Sequence, residues 1–281
     1  MSSSTDLRID LAEARAALER VTRRTADLFG SVTDPGRAVR RSMWTVGDVG
    51  AHLAVALVGF TEAAGGDFGT VAPHIPATGV FAERLSAVTA ATLTIEPDRD
   101  PRHLSRLIVE RVDGFLHATA GLSGAERIAT PWYGDGASLS LATATAMLLG
   151  EQVMHGYDVA GTLGRPWPIS VDDARLMTRA ITSMMPLAAN PVTTARLHAT
   201  YGVSVRNGGP RFVVAVDHGT VVVEPADGRR VDCHLSADPL TFALVAYGRT
   251  GQWGPIAAGR LRAWGWQPWL AFRFVNLFFN P

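Results

Sequence analysis

The sequence predicts two domains, an all-α helical bundle followed by a small α+β domain. At 281 residues and 30.0 kDa, the chain is long enough for two domains of ordinary size. Apolar residues recur at helical spacing as far as about residue 185, and beyond residue 195 they recur at a spacing of two. A turn-forming segment, Ala-Ala-Asn-Pro at 188–191, separates the two patterns. The predicted domains are therefore residues 1–187 and residues 192–281.

Long helices account for most of the first domain. Thr45 precedes Asp48 by three residues, the arrangement of a capping box, and predicts a helix start. The segment from 139 is small and apolar over most of its length, as expected for a helix buried on most sides. The predicted helices span residues 6–29, 44–64, 80–93, 102–118, 139–161 and 171–185.

Alternating and β-branched segments predict a small sheet in the second domain. Asn-Gly-Gly at 207–209 and Asp-His-Gly at 217–219 supply turns between the strands. The predicted strands span residues 196–205, 211–216, 220–225 and 231–236, and the predicted helices span residues 238–247, 256–264 and 269–279.

Composition narrows the class of partner. The 26 basic and 26 acidic side chains cancel, so no net field draws the protein to nucleic acid or to an anionic membrane. No segment reaches about 18 uninterrupted apolar residues, and the N-terminus has no signal-peptide pattern. Cys233 is the only cysteine, which excludes an internal disulfide and a multi-thiolate zinc site. We expect a cytoplasmic protein, a monomer or homodimer, with small-molecule partners.

Glu151 and His155 are the first candidate site residues. They are four residues apart on a predicted helix, so both project from one face about a turn apart. The helix around them is apolar enough to be buried. A buried carboxylate and imidazole need a partner, and a metal ion is one of the few that satisfies both.

His52 is the natural third ligand because it also lies in the middle of an apolar helix. Two histidines and one carboxylate leave coordination positions open, which is typical of a catalytic zinc or related divalent ion. Asp158, about one turn beyond His155, is placed to orient that histidine or to accept a hydrogen bond just outside the ligand set.

A structural role remains open for each of these residues. A single histidine on an apolar helix is more often a hydrogen-bonded core residue than a ligand, and Glu–His pairs four apart also occur on solvated faces. The three positions form a site only if their helices are neighbours, which spacing along the chain does not decide.

Two motifs carry a resemblance to a known family. They are Trp-Thr-Val-Gly-Asp-Val-Gly-Ala-His-Leu-Ala at 44–54 and, about a hundred residues later, Gly-Glu-Gln-Val-Met-His-Gly-Tyr-Asp-Val-Ala at 150–160. In the second domain, Ser-Ala-Asp-Pro-Leu-Thr-Phe at 236–242 and Gly-Arg-Leu at 259–261 add to it. The chain resembles the mycothiol-dependent maleylpyruvate isomerase family over nearly its whole length.

The resemblance implies a fold, a cofactor and site residues. The first domain would be a DinB-like four-helix bundle, and the second would be similar to a sterol carrier protein. His52, Glu151 and His155 would bind zinc or another divalent metal, mycothiol would be cofactor or co-substrate, and Arg260 would be lent to the active site by the second domain. An exposed arginine near a turn remains the alternative for Arg260.

Aromatic residues near the C-terminus depart from the family's pattern. Trp253, Trp264, Trp266 and Trp269 form an extended cluster that argues against a small substrate resembling maleylpyruvate. The loop at 132–136, Trp-Tyr-Gly-Asp-Gly, either lines the pocket or caps the bundle.

Three functions follow from these features. The first is a metalloenzyme in which a thiolate, deprotonated by metal coordination, is transferred to an electrophile or isomerises it. The second is a carrier that binds a small molecule or lipid in an apolar groove of the second domain. The third is a metal-binding protein without turnover.

Overall fold

Contacts divide the computed structural model, which describes residues 7–280, into two units. One unit is Asp10–Pro168. The other comprises residues 169–280 together with residues 7–9. The predicted architecture, helical first and α+β second, is confirmed.

The helices of the first unit are α1 (Leu11–Gly30), α2 (Val46–Gly65), α3 (Phe81–Ile95), α4 (Pro101–Ala118) and α5 (Leu141–Leu163). Four of them form the bundle, in which α1 and α2 each pack against α4 and α5. The fifth, α3, lies along α2. Because α2 and α5 are neighbours, residues on their facing surfaces meet inside the bundle.

Local signals in the sequence start these helices. The Thr45 side chain accepts from the Asp48 amide at 3.2 Å while the Asp48 carboxylate accepts from the Thr45 amide at 2.9 Å, which confirms the predicted capping box. The side chains of Asp10, Asp100 and Ser140 cap the N-termini of α1, α4 and α5. Each accepts a hydrogen bond from the backbone amide three residues later. By length and composition α2 could cross a membrane, but most of it is buried inside the fold, as in many core helices.

A short hairpin precedes α5. Its strands, β1 (Arg127–Ala129) and β2 (Ser138–Ser140), are antiparallel and enclose a 3₁₀ turn at Pro131–Tyr133. The buried Arg84 holds this connection, because its guanidinium donates to the Pro131 carbonyl at 3.4 Å and pairs with Asp135 at 2.8 Å. Another 3₁₀ turn lies at Ala72–His74.

A five-stranded sheet forms the second unit. Its order is β5-β4-β3-β6-β7; β3 and β6 are parallel and the other pairs are antiparallel. The strands are β3 (His198–Val205), β4 (Arg211–Asp217), β5 (Thr220–Pro225), β6 (Cys233–Ala237) and β7 (Leu261–Trp264). The helices are α6 (Val171–Met184), α7 (Pro191–Thr194), α8 (Pro239–Ala246), α9 (Trp253–Ala257) and α10 (Ala271–Phe274), with 3₁₀ turns at Pro268–Leu270 and Val275–Leu277.

The structure differs from the sequence-based prediction in three places. α6 packs on α8 and belongs to the second unit, whereas the predicted boundary lies at 187–192. The helix predicted at 256–264 is a short helix followed by edge strand β7. The helix predicted at 269–279 is a series of single turns. In the segment 256–264, Gly259, in the left-handed conformation, ends the short helix, and β7 follows it.

Candidate metal centre

Three side chains from α2 and α5 converge inside the bundle. His52 Nε2 lies 3.3 Å from Glu151 Oε2, and His155 Nε2 lies 3.2 Å from the same oxygen. The four-residue spacing on α5 brings Glu151 and His155 together, and the packing of α2 on α5 adds His52. The side chains retain 10%, 21% and 15% exposure for His52, Glu151 and His155, so the cluster is shielded but not closed.

A hydrogen bond between His52 Nδ1 and Thr92 fixes the orientation of the His52 ring. Thr92 donates its hydroxyl to the Thr89 carbonyl at 2.6 Å, which leaves the Thr92 oxygen as an acceptor. His52 Nδ1 lies 3.3 Å from that oxygen, so we assign Nδ1 as the protonated nitrogen. The Nε2 lone pair then faces Glu151. A neighbour that orients a ligating imidazole through its other nitrogen is typical of metal sites.

This donor set fits a divalent metal. A lone pair of His52 facing the Glu151 carboxylate is unfavourable unless a cation lies between them. Two ligands bound tetrahedrally at about 2.0–2.1 Å from zinc are about 3.3 Å apart, close to both observed separations. Three protein ligands leave a coordination position open, as in catalytic zinc sites.

Electrostatics favours the metal-binding forms of His52 and Glu151. Burial lowers the pKa of His52 below its usual value, and the attraction of the Glu151 carboxylate for the protonated ring offsets this only in part. Burial alone would raise the pKa of Glu151, but hydrogen bonds and charge from His155 and His52 hold it well below its usual range. A neutral imidazole and an ionised carboxylate are the forms that bind metals.

One tryptophan ring lies against the cluster, and a second packs on the helix that carries two of its members. The Trp44 ring centroid lies 5.0 Å from that of His52 and 6.2 Å from that of His155. Trp167 packs against α5 and donates its indole N–H to the Val153 carbonyl at 2.9 Å. A Cβ at Gly156 would lie 2.1 Å from the Trp167 ring, so only glycine allows this approach.

A cavity opens beside His52 and Glu151. Its walls come from α2, α3, α5 and the 3₁₀ turn that carries Trp132 and Tyr133. Phe60 and Trp132 meet edge to face at 5.1 Å. Burial, together with the charge of Glu151, raises the pKa of Tyr133, so its phenol stays protonated and can donate a hydrogen bond. Of the two roles considered for the 132–136 loop, Trp132 and Tyr133 line the pocket.

The predicted ligands His52, Glu151 and His155 therefore meet in space. Asp158 follows on α5, with its backbone carbonyl bonded to the Thr162 hydroxyl at 2.9 Å. Arg260 is exposed in the second unit, after Gly259 in the left-handed conformation, and its carbonyl accepts from Arg206 at 2.7 Å. The functions predicted for Asp158 and Arg260 remain predictions.

No pattern in the sequence indicated that Thr92 contacts a candidate ligand or that a cavity lies beside it. The hydroxyl of Thr92 acts on a residue 40 positions earlier, and no spacing rule links α3 to the ligands. Among the described residues, one further group could hold a metal, namely His198, Asp217 and His218, but all three are exposed. Cys233 is buried in β6, and burial raises the pKa of its thiol to about 11, so it is a poor nucleophile.

Comparisons with known proteins match both units. Residues 187–270 match the model of the SCP-2 sterol transfer family. The crystal structure of a mycothiol-dependent maleylpyruvate isomerase is 15% identical over 89% of this chain and 93% of that one, with a TM-score of 0.53. The crystal structure of a histidine-to-alanine mutant of that isomerase is 13% identical over 90% of this chain and 94% of the mutant chain, with a TM-score of 0.54.

The chain shares its fold with the mycothiol-dependent maleylpyruvate isomerase. The predicted resemblance is thereby confirmed for the fold of both parts, including the SCP-2 character of the second. At 13–15% identity this similarity concerns the fold alone. A search of curated proteins found no match to the sequence.

Proposed function

We propose that the protein is a mycothiol-dependent metalloenzyme that transfers the thiol to, or isomerises, a small electrophilic substrate. The observation that carries this proposal is the convergence of His52, Glu151 and His155 donor atoms on one point beside a cavity. The shared fold with a mycothiol-dependent isomerase supports the choice of thiol.

The three ligands would hold zinc or a similar divalent ion with one position open. Such an ion would lower the pKa of a bound thiol, which is near 8.5 for a free one, and so make the thiolate available at neutral pH. Trp44 shields the imidazoles from water, and Thr92 keeps the His52 lone pair directed at the ion's position. The neutral Tyr133 hydroxyl can donate to an oxygen of the substrate.

Isomerisation and transfer begin with the same bond. In isomerisation, the thiolate sulfur bonds to the β-carbon of an activated double bond, whose electron pair moves onto the conjugated carbonyl. The former double bond is now a carbon–carbon single bond and can rotate. When the enolate's electron pair re-forms the double bond, the C–S bond breaks, and the thiolate and the geometric isomer are released. In transfer, the C–S bond persists, because either a leaving group departs with its electron pair or the enolate takes up a proton.

Arg260 and Asp158 complete the proposed machinery. Arg260 would bind an anionic group of the substrate or stabilise the negative charge that develops on the enolate oxygen. Asp158 would orient His155. The partners would be small molecules in the reducing cytoplasm, where a single free cysteine and a thiol co-substrate persist.

The enzymatic proposal is tested by metal analysis followed by thiol consumption. We expect about one divalent ion per chain after purification. When electrophiles are supplied, we expect thiol loss or interconversion of geometric isomers that requires both metal and mycothiol. Glutathione replacing mycothiol serves as the control for thiol identity. A metal-loaded protein that neither consumes thiol nor interconverts isomers with any enone, epoxide or aryl halide in the screen would overturn the proposal in favour of metal binding without turnover.

One observation favours a second function, that of a carrier. The second unit contains an apolar cavity, lined among others by Met184, Leu235, Phe242 and Phe274. Cavities with a lining of this kind are typical binding sites for apolar small molecules. If the purified protein retains a lipid detectable by mass spectrometry and Leu235→Trp reduces that retention without affecting thiol consumption, the two functions coexist.

A further inference from the structure

The cavity beside the ligands has an apolar lining. Two of the candidate ligands, His52 and Glu151, form part of its wall, so a molecule in the cavity would contact the reacting centre. The remaining wall is aliphatic and aromatic, with hydroxyl groups as its other polar side chains. These residues are Val55, Ala56, Gly59, Phe60, Val71, Leu85, Val88, Thr89, Thr92, Trp132, Tyr133 and Met147.

Away from the ion that the ligands would hold, this lining provides no counter-charge for an anion. Among the described residues that line it, neither lysine nor arginine occurs. The nearby buried cation, Arg84, is occupied: it donates to the carbonyls of Gly79 and Ala77, each at 3.2 Å, and pairs with Asp135 at 2.8 Å. A carboxylate lodged among the apolar side chains, out of reach of the ion, would lose hydration without a replacement.

Small residues keep the space open. A Cβ on Gly59 would approach Val71 Cγ1 to 3.3 Å and Trp132 Cη2 to 3.9 Å, so any side chain there would take up part of the cavity. Ala56 stands on the same helix one turn earlier and also lines the wall. The aromatic rings of Phe60 and Trp132 complete an apolar pocket whose character suits a planar ring.

We propose that the electrophilic substrate carries an uncharged apolar group, aromatic or compact aliphatic, which occupies this cavity. A dicarboxylate as small as maleylpyruvate is then a poor substrate, because one of its charges would have to enter the apolar lining. The inference rests on the proposed function for its reacting centre, and Arg260 would act on a part of the substrate outside the cavity.

A matched pair of ligands tests the proposal by binding alone. Benzylideneacetone is a neutral aryl enone, and 4-carboxybenzylideneacetone adds one charge to its ring. Titration calorimetry on the full-length, zinc-loaded protein without thiol measures occupancy separately from turnover. We expect the carboxylated compound to bind at least about tenfold more weakly, since its charge is left unpaired. Equal or tighter binding of the carboxylated compound would overturn the proposal, as would no binding of the neutral one.

A pair of variants locates the binding. Val88 lines the cavity, whereas Ala90, two residues later on α3, is exposed. Val88→Phe should weaken benzylideneacetone binding at least about tenfold with metal content unchanged, and Ala90→Phe should leave it unaltered. Equal effects of the two substitutions would place the ligand elsewhere and refute the inference. Preferential binding of the neutral ligand by a protein that neither consumes thiol nor interconverts isomers in the screen would refute the enzymatic proposal alone.

Discussion

Thr92 holds His52 through a hydrogen bond of 3.3 Å from the imidazole Nδ1 to the threonine hydroxyl oxygen, and that hydroxyl donates in turn to the Thr89 carbonyl. The pairing fixes which nitrogen of His52 is available at the candidate centre. It connects α3, which carries none of the predicted ligands, to the geometry of the site.

Thr92→Val should therefore weaken metal binding. Valine keeps the shape of threonine but offers no acceptor, so the His52 ring loses its orientation. Loss of such a partner reduces metal affinity about 10- to 100-fold. Chelator-competition titration measures the change. Thr92→Ser retains the hydroxyl and should stay close to the unaltered protein; if serine and valine behave alike, Thr92 only fills space.

His52→Ala should abolish stoichiometric metal binding. Two ligands on one helix, Glu151 and His155, remain, and they hold an exchangeable ion weakly compared with three. Elemental analysis after dialysis gives the metal content, and circular dichroism verifies the fold. A variant that keeps a full complement of metal would show that His52 is a hydrogen-bonded core residue.

Glu151→Gln should weaken metal binding more than Asp158→Asn. Glu151 supplies the oxygen on which both imidazoles converge, whereas Asp158 is proposed only to orient His155. The Asp158 substitution should cost about 10- to 100-fold in affinity. The two variants are isosteric with the parent residues, so chelator titration compares them directly. The reverse ranking would make Asp158 the ligand.

Gly156→Ala should destabilise the first unit. The added methyl would lie 2.1 Å from the Trp167 ring, and forcing such a contact costs about 1–3 kcal/mol. Gly161→Ala on the same helix is the matched control, because nothing lies within 4 Å of its Cβ position. There alanine should be neutral or stabilising by up to about 1 kcal/mol. Thermal unfolding followed by circular dichroism separates the two outcomes.

Arg260→Ala should lower turnover about 10²- to 10³-fold while metal content and folding are retained, if the arginine stabilises charge in the transition state. Arg196→Ala, another exposed arginine of the second unit, controls for a general change in charge. Near-full activity of Arg260→Ala in the thiol-consumption assay would assign Arg260 to the surface and leave the second unit with a separate role.

Local patterns along the chain were enough to predict most elements. The capping box at Thr45 and the helical spacing of apolar residues identify α1 to α5. The alternation of apolar and polar residues after residue 195 identifies β3 to β6. These patterns are local because each depends on neighbours within a few residues. Prediction failed in two segments, 256–264, which contains Gly259, and 269–279, which is rich in aromatic residues. Whether such a segment forms turns or a strand depends on the partner available, and β7 exists because the edge of β6 accepts it.

Sequence by itself determined the candidate ligands, since His52, Glu151 and His155 are ionisable residues in apolar helices that need partners. Tertiary structure decided that they meet, because only the packing of α2 against α5 brings His52 to within 3.3 Å of Glu151. It also decided which residues surround them. Thr92 and Trp132 reach the site from α3 and the hairpin, and side chains distant along the chain become neighbours only when the chain buries its apolar faces together.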